Sequence, residues 1–593
     1  MTEIVLSALR ALFVVMFGMN LAVICTWVDR RQGAMIQDRV GPDRAVMWLP
    51  TMVARALVLL PALGAAALTL GLAFLDKDAR GDAPASTARA IVFSQLALFM
   101  TWATVAAMVA RSQRQGADSS LERLLASLGA PRRIAAYGVY AQIGLALALI
   151  LLSGSPLGDV AAGAAYGGGV LVLALAMLVG AGFTAWSMRG KRVGVRLLGL
   201  LHPAADGLKT AFKEDIIPLG VDRMMFGLAP WLAFFPALIV LAVVPFGDTL
   251  CFGTTAEGGI DISQLMLAVP ADSICTEGAL QLQVADLNVG ILYFFAVAGT
   301  GIVGAALAGW ASDNKYSLLG GLRAAGQMVS YEVTLGLTLI GAMMIYGTLQ
   351  VDDMVRWQAA NTWGIFAQPL AFILFFTAAV AESKRIPFDI PEGESELVAG
   401  YFTEYCGMKF AMFMFSEYIA MVSAAAVMAV IFLGGWDVPF LARDGIHVAI
   451  GQTELLRYEL AHPIVVLLGF VAFIFKVVFM CWLQLSIRWT LPRFRYDQVM
   501  RLGWRVLLPL SLGNILVTGL IILMIQGASP GTQGAVDMAA DLSKAALALG
   551  ALVAFVVFVR FMLSPPRHKS LVTSTSARFA AAQGGTRNAE MGA

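Results

Sequence analysis

Long apolar runs constrain this chain more than any other feature, because each run is long enough to cross a bilayer. A spanning helix needs about 20 mostly apolar residues. Apolar residues make up 59% of the sequence and charged residues only 13%, which excludes a string of ordinary soluble domains. The sequence therefore predicts an all-α polytopic membrane protein of about thirteen transmembrane helices. The runs lie near 5–28, 52–75, 90–110, 134–153, 160–187, 228–246, 288–310, 328–347, 366–382, 409–434, 463–487, 505–526 and 543–563.

The distribution of basic residues predicts the orientation of these helices. The first run lacks a small-residue cleavage site and is followed by Asp29, Arg30 and Arg31, so we expect a retained anchor and not a signal peptide. With the N-terminus outward, about 31 of the 41 Lys and Arg residues fall in inward loops or the inward tail, as the positive-inside rule requires. The C-terminus is then inward, and the polar tail 570–593 is expected to be disordered.

One inward loop is unusually acidic. Residues 382–417 hold seven acids against three bases. If 392–400 is helical, Glu392 and Glu396 lie at i,i+4 on one face, where their repulsion raises one pKa. A solvated acidic face is the alternative, but flanking spans and interleaved Pro and Phe residues favour a partly buried functional loop. The acids are Glu382, Asp389, Glu392, Glu394, Glu396, Glu404 and Glu417.

Three ionisable residues fall inside predicted spans. Glu332 lies in the first turns of its predicted span. Glu417 lies about two turns into its own span, and Lys476 lies near the centre of a third. Each costs about 2.5–3.5 kcal/mol or more at the middle of a bilayer, so such residues tend to line polar paths. Each could instead join neighbouring helices as a structural contact. Together with the acidic loop, they favour a chain of proton-exchanging groups.

The sequence has no pattern of a resident metal or redox cofactor. Its five cysteines are far apart and its four histidines form no ligand motif. A GxGxxG at 299–304 lies in an apolar span, where close helix packing explains it better than a dinucleotide. Cys251 and Cys275 share a long outward loop, so we expect them to form a disulfide and the other three cysteines to be free.

Several long motifs make the chain recognisable. Over about 1–45 and 197–526 it closely resembles the NADH dehydrogenase subunit 1 family, whose members are membrane subunits of the proton-pumping NADH:quinone oxidoreductase, respiratory complex I. The motifs are RVGPD at 39–43, DGLKTAFKE at 206–214, ADLNVGIL at 285–292, GWASDNKY at 309–316, LRA at 322–324, SYE at 330–332, PFDIPEGESEL at 387–397 and LPRFRYDQ at 491–498.

The resemblance implies a protein that forms the membrane side of the quinone chamber and starts the proton path. Quinone is then the substrate, and FMN and iron–sulfur clusters belong to other subunits. The implied partners are the peripheral quinone-module subunits, neighbouring small membrane subunits and lipid, with no nucleic acid, in the cell inner membrane. The seven loop acids, Glu332 and Lys476 would carry protons. Residues implied at the chamber and the contact with the peripheral arm are Arg30, Arg39, Lys209, Lys213, Arg323, Arg493, Arg495 and Asp497.

The chain departs from the family pattern in three places. Asp29 stands where the family usually has glutamate, residues 46–196 form a four-helix insertion, and an extra span follows within 527–569. The insertion carries no acid in the middle of its spans, so we expect it outside the quinone path. Two other functions remain open. A membrane-bound hydrogenase subunit is similar in outline, although the intact acidic motif favours the quinone branch. A secondary transporter would show inverted repeats, and the sequence has none that we find.

Overall fold

The structure is a computed structural model that describes most of the chain. The described residues are 2–37, 42, 47–78, 87–115, eight positions between 137 and 148, 156–186, 192–195, 199–251, 253–254, 260–261, 279–393, 398–443, 445–450, 453–459, 462–526, 542–547 and 550.

Helices dominate the described residues, as the apolar runs predict. Where the chain spans lipid, a helix satisfies each backbone polar group internally. The helices are α1 (Thr2–Ile36), α2 (Thr51–Asp78), α3 (Thr87–Gln115), α4 (Pro156–Trp186), α5 (Leu201–Phe212), α6 (Arg223–Ile239), α7 (Gly290–Ala311), α8 (Lys315–Tyr346), α9 (Val351–Ala360), α10 (Gly364–Ala367), α11 (Pro369–Glu382), α12 (Gly407–Phe432), α13 (His462–Thr490), α14 (Tyr496–Arg501) and α15 (Leu508–Gln526).

Short irregular and extended segments connect the helices. Turns of 3₁₀-helix occupy Val240–Val243 and Gly400–Phe402, and a π-helical turn, Leu502–Leu507, joins α14 to α15. The strands form small antiparallel pairs or a three-stranded sheet in the order β7-β8-β9. They are β1 (Met47–Pro50), β2 (Arg192–Val195), β3 (Leu250–Cys251), β4 (Gly253–Thr254), β5 (Ile260–Asp261), β6 (Ala279–Leu280), β7 (Leu441–Ala442), β8 (Gly445–Ile450) and β9 (Thr453–Glu459).

The membrane-spanning character of the chain is clear, although a count of thirteen spans is not confirmed. Eight described helical segments are long and apolar enough to cross a bilayer, and three shorter apolar helices match further predicted runs. The predicted runs near 134–153 and 543–563 lie largely outside the described residues. One boundary was wrong: α8 begins at Lys315 and not near 328, so Glu332 lies about halfway along the helix and not in its first turns.

The chain divides into two compact units, which are described separately. The first comprises Met1–Pro50 and Lys191–Leu549. The second comprises Thr51–Gly190 and Gly550–Ala593. In the second unit α4 packs against α2 and α3. Gly169 allows this approach, because a Cβ atom there would lie 2.9 Å from the backbone nitrogen of Ser94.

Helix α12 lies at the centre of the first unit. Of its most apolar stretch, 83% is buried, against 22–50% for the other long candidate spans of that unit. It packs against α1, α6, α9, α11 and α13. Small residues such as Ala425 and Ala429, both fully buried, let neighbouring helices approach it closely. The carboxylate of Glu417 is therefore carried on the most enclosed helix of the unit.

Candidate functional site

The acidic loop begins where α11 ends and packs against α8. Gln327 of α8 fixes its course by donating from Nε2 to the carbonyl oxygens of Ala381 and Phe388, at 2.6 and 2.8 Å. The backbone N–H of Phe494 donates to the carbonyl of Pro387 at 3.0 Å. Three distant parts of the sequence therefore meet at this loop.

Gly400 is required where the loop turns toward α12. It has a φ of +57°, and a Cβ atom there would lie 1.7 Å from the carbonyl oxygen of Pro391. The same segment also lies against α8, because a Cβ atom on Gly320 would be 2.7 Å from the Cα of Gly400. Only glycine fits such a close approach between backbones. The fold then places the next residue, Tyr401, fully buried beside α12.

Glu417 is the centre of a buried network. Its Oε2 lies 3.1 Å from a guanidinium nitrogen of Arg385, and its Oε1 accepts a hydrogen bond of 3.2 Å from the Tyr401 hydroxyl. That hydroxyl in turn accepts from the Nζ of Lys384 at 3.2 Å. Glu417 is 2% exposed. A carboxylate buried to this degree needs paired charge and hydrogen bonds, and these three residues supply both.

Two further loop acids lie close to this network. Asp389 pairs with Arg493 at 3.3 Å. Burial raises the pKa of Asp389 above its usual range, and the charge of Arg493 opposes that rise. Burial also raises the pKa of Glu392 to about 8, with the charges of Glu417 and Asp389 adding to the effect. The loop therefore holds acids that exchange protons nearer neutral pH than a solvated carboxylate does.

The helix considered over 392–400 is not formed in its described residues, and the pairing of Glu392 with Glu396 stays a prediction. Residues 391–392 and 398–399 form turns, and 394–397 lie outside the described part of the chain. Among the described residues, the repulsion on Glu392 comes from Glu417 on α12 and from Asp389.

The network continues to the end of α1 through Tyr418. The Arg385 guanidinium lies 4.2 Å from the centre of the Tyr418 ring, and the Tyr418 hydroxyl donates to Asp29 at 2.9 Å. Asp29 also accepts from the indole of Trp489 at 2.8 Å and pairs with Arg488. Both carboxylate oxygens of Asp29 therefore have partners.

A cavity of about 630 Å³ opens beside this end of the network, between α1, α5 and α12. Phe410, Met414 and Phe415 give it apolar walls. Such a volume and such a mixed lining suit a small organic molecule. The charged residues that line it are Asp29, Arg30, Asp206, Lys209, Lys213, Arg385 and Arg488.

A second, smaller cavity of about 60 Å³ is lined in part by Glu417. It is lined by Glu382, Lys384 and Glu417 among mainly apolar side chains of α6, α7 and α12, and it has room for a few water molecules. Glu332 is close enough to Glu382 for their charges to interact. Its carboxylate packs on Gly299, where a Cβ atom would lie 2.6 Å from Oε1.

Two of the three glycines at 299–304, Gly299 and Gly304, are packing residues, as the sequence indicated. A Cβ atom on Gly304 would lie 2.6 Å from the backbone nitrogen of Ala233, so α7 and α6 are in close contact there. Gly301 lines the smaller cavity. The motif therefore serves helix packing and makes room for Glu332.

Other residues expected at the site lie outside this network. Lys476 donates to the carbonyls of Gly435 and Asp437, at 2.9 and 2.5 Å. These carbonyls follow the C-terminal end of α12, whereas Glu417 lies in its N-terminal half. Glu404 accepts from Asn314 at 2.6 Å. Arg323 stacks over the Tyr496 ring at 5.8 Å, and Arg495 and Asp497 are exposed beside it. Arg39, Glu394 and Glu396 lie outside the described residues.

Of the two cysteines predicted to form a disulfide, only Cys251 lies in the described part of the chain. Cys251 is disulfide-bonded, and Cys25, Cys406 and Cys481 are free. Cys275 lies outside the described residues, so the pairing stays a prediction.

Sequence reasoning missed the residues that join the acids. Lys384 and Arg385 are two of the three bases counted in 382–417, and the sequence indicated no further role for them. It also indicated no role for Tyr401, Tyr418, Arg488 and Trp489. The only available signal was the position of Lys384 and Arg385 at the end of an apolar run, where a buried charge requires a partner.

Known proteins share most of the sequence that builds this site. The sequence model of the NADH dehydrogenase family matches residues 165–519, which starts inside the segment expected to be an insertion. An H-type subunit of NADH-quinone oxidoreductase from Geobacter metallireducens is 46% identical over 324 residues, covering 55% of this chain and 83% of that protein. The corresponding protein of Koribacter versatilis is 42% identical, covering 60% and 95%. That of Thermomicrobium roseum is 44% identical, covering 54% and 83%.

Proposed function

This chain belongs to the NADH dehydrogenase family, and we propose that it is the membrane subunit of an NADH:quinone oxidoreductase that binds quinone and couples its reduction to proton translocation. The 630 Å³ cavity supports this proposal most strongly, because its wall is continuous with the buried acids around Glu417. Electrons would come from cofactors held by other subunits.

The lining of the larger cavity suits a quinone head group. Arg30, Lys209, Lys213 and Arg488 offer donors to the carbonyl oxygens of the ring, and these oxygens become more basic as the quinone is reduced. Arg30 is held in place by Asp206 at 2.6 Å. Phe410, Met414 and Phe415 offer an apolar surface to the ring and to the isoprenoid chain.

Coupling would follow from the charge of the reduced quinone. A reduced quinone needs protons, and Asp29, Tyr418 and Arg385 connect the cavity wall to Glu417 by one ring contact, one hydrogen bond and one ion pair. A change of charge at the cavity therefore alters the balance at Glu417. Glu382 and Glu332 would exchange protons with Glu417 through the smaller cavity, with water bridging the gaps.

Narrowing the cavity tests quinone binding. Gly207 lines the cavity, and a Cβ atom there meets no other atom within 4 Å. Gly207→Leu should therefore fill part of the cavity and raise the KM for quinone at least tenfold in membranes that contain the whole complex. Gly227→Leu is the matched control, since Gly227 also has open space but does not line the cavity. A wild-type KM for Gly207→Leu would reject the quinone site.

Neutralising the acids tests coupling. Glu332→Gln and Glu417→Gln should lower quinone reduction and proton pumping together, because both remove a proton-exchanging group. The complex should still assemble, and its oxidation of NADH by an artificial acceptor should stay near normal. Wild-type pumping in both variants would make these carboxylates structural.

The surroundings of the chain are also part of the proposal. We expect peripheral quinone-module subunits and small membrane subunits as partners, the cell inner membrane as the location and an outward N-terminus. Residues 46–196 are proposed to be an insertion outside the quinone path, since the described lining of the cavity belongs to other parts of the chain. A photoreactive quinone that labelled mainly 52–187 would contradict this.

A further inference from the structure

We propose that Lys384 is a proton-exchanging residue that delivers protons to Glu417 through the hydroxyl group of Tyr401. This inference rests on the proposed function and deepens it, because it assigns a donor and a direction to one step of the path. It concerns a residue of the acidic loop that is basic and that neither the acid series nor the chamber residues include.

The order of the hydrogen bonds gives the direction. A charged lysine donates three hydrogens and accepts none. The Nζ of Lys384 must therefore donate to the Tyr401 oxygen, at 3.2 Å. The single Tyr401 hydrogen is then directed to Oε1 of Glu417, at 3.2 Å. Donor, relay and acceptor thus follow one another with no alternative arrangement of the protons while the lysine is charged and Glu417 is ionised.

The burial of this series supports exchange over a static ion pair. Lys384 is 7% exposed and Tyr401 is fully buried. A hydroxyl group separates the ammonium from the carboxylate, so the two charges do not touch in this arrangement. The charged groups that surround Lys384 are Glu382, Arg385, Glu392 and Glu417. Burial lowers the pKa of Lys384, which makes its proton easier to release.

The transfer step conserves atoms and charge. The Lys384 ammonium gives one proton to the Tyr401 oxygen while the Tyr401 hydroxyl gives its own proton to the Glu417 carboxylate. The products are a neutral amine, an unchanged tyrosine and a carboxylic acid, and no electrons move. Lys384 lines the smaller cavity together with Glu382, and the cavity has room for a water molecule through which a proton from Glu382 can recharge the amine.

The backbone at Lys384 holds the side chain in this position. Lys384 has a φ of +56°, a conformation that is uncommon for residues other than glycine. Its Nζ also lies 5.4 Å from the centre of the Tyr401 ring. Such strained residues persist when the surrounding structure fixes them, and they cluster at functional sites.

Substitutions in the whole complex, in its native membrane, separate exchange from charge. Lys384→Arg keeps the charge but cannot release a proton near neutral pH, so proton pumping coupled to quinone reduction should fall at least tenfold. Tyr401→Phe removes one oxygen atom and should give the same loss. Lys384→His should retain part of the activity and move the alkaline limb of its pH profile toward lower pH. Lys409→Arg is the control, because Lys409 pairs with Asp215 at 2.9 Å outside the series.

Each of three results would overturn the inference. If Lys384→Arg pumps at the wild-type rate, a fixed positive charge is sufficient and the residue is structural. If Tyr401→Phe retains full activity, the hydroxyl carries no protons. If Lys384→His is fully active with an unchanged pH profile, residue 384 exchanges none. Oxidation of NADH by an artificial acceptor reports assembly in each variant. A wild-type result with Gly207→Leu would instead reject quinone binding, so the two failures are distinguishable.

Discussion

Gly400→Ala is the sharpest available test of whether the loop geometry, and not its charge, determines activity. The substitution adds one methyl group and changes no ionisable residue. At a φ of +57° an alanine costs about 1–2 kcal/mol. The methyl group would also lie 1.7 Å from the Pro391 carbonyl oxygen, which forces the backbone to move. Overpacking of this kind costs about 1–3 kcal/mol.

The two effects together amount to about 2–5 kcal/mol. Each 1.36 kcal/mol is a factor of about ten, so even the lower value disfavours the native course of the loop about thirtyfold. The relaxation should displace Tyr401, the next residue, from Glu417. We therefore expect quinone reduction to fall at least tenfold in membranes, relative to the amount of assembled complex measured on native gels.

Gly336→Ala provides the matched control. Gly336 lies inside α8, and a Cβ atom there meets nothing within 4 Å. Alanine in an open helical position stabilises by about 1 kcal/mol, so assembly and quinone reduction should stay within about twofold of wild type. Quinone reduction at the wild-type rate in Gly400→Ala would refute the reasoning, because the loop would then tolerate a course that the structure forbids.

Three further outcomes are expected. The pKa of Glu392 is raised from an ordinary 4.5 to about 8, so its contribution to stability is complete below pH 4.5 and is lost as the pH rises to about 8. Glu392→Gln should therefore flatten the dependence of thermal inactivation on pH between these values. An unchanged dependence would contradict the assignment. Asp29→Asn leaves Arg488 without a counter-charge and should destabilise assembly by about 3 kcal/mol. Asp29→Glu keeps the charge and should retain activity. Equal amounts of assembled complex for both variants on native gels would contradict this. Mass spectrometry of unreduced peptides should find Cys251 joined to Cys275, and alkylation of both without reduction would disprove the disulfide.

The identity of the buried acids could be predicted from sequence because their context is local. Glu417 stands within an apolar run, and Asp389 stands in a loop between two such runs. Local pattern is enough to show that such residues are costly to bury, and their functional role stays a prediction. The all-α membrane fold follows in the same way from run length alone.

The partners of those acids could not be predicted, because they are set by tertiary contacts. Asp29 meets Arg488 from the opposite end of the chain. The contacts of Lys476 likewise could not be predicted. Its central position in α13 suggested the proton path, which stays a prediction, and its Nζ donates to the carbonyls of Gly435 and Asp437. The start of α8 was missed because the residues after Lys315 are too polar to resemble a span, yet they continue the helix.

The burial of α12 has a mechanical consequence. An ordinary membrane helix can slide or rotate against fluid lipid, but α12 is surrounded by α1, α6, α9, α11 and α13. Its 26 residues form a rod about 39 Å long. The loop beyond its far end is fastened by Lys476. We therefore expect any displacement of the rod near Glu417 to move neighbouring helices more than lipid, and so to be felt at the loop that Lys476 binds.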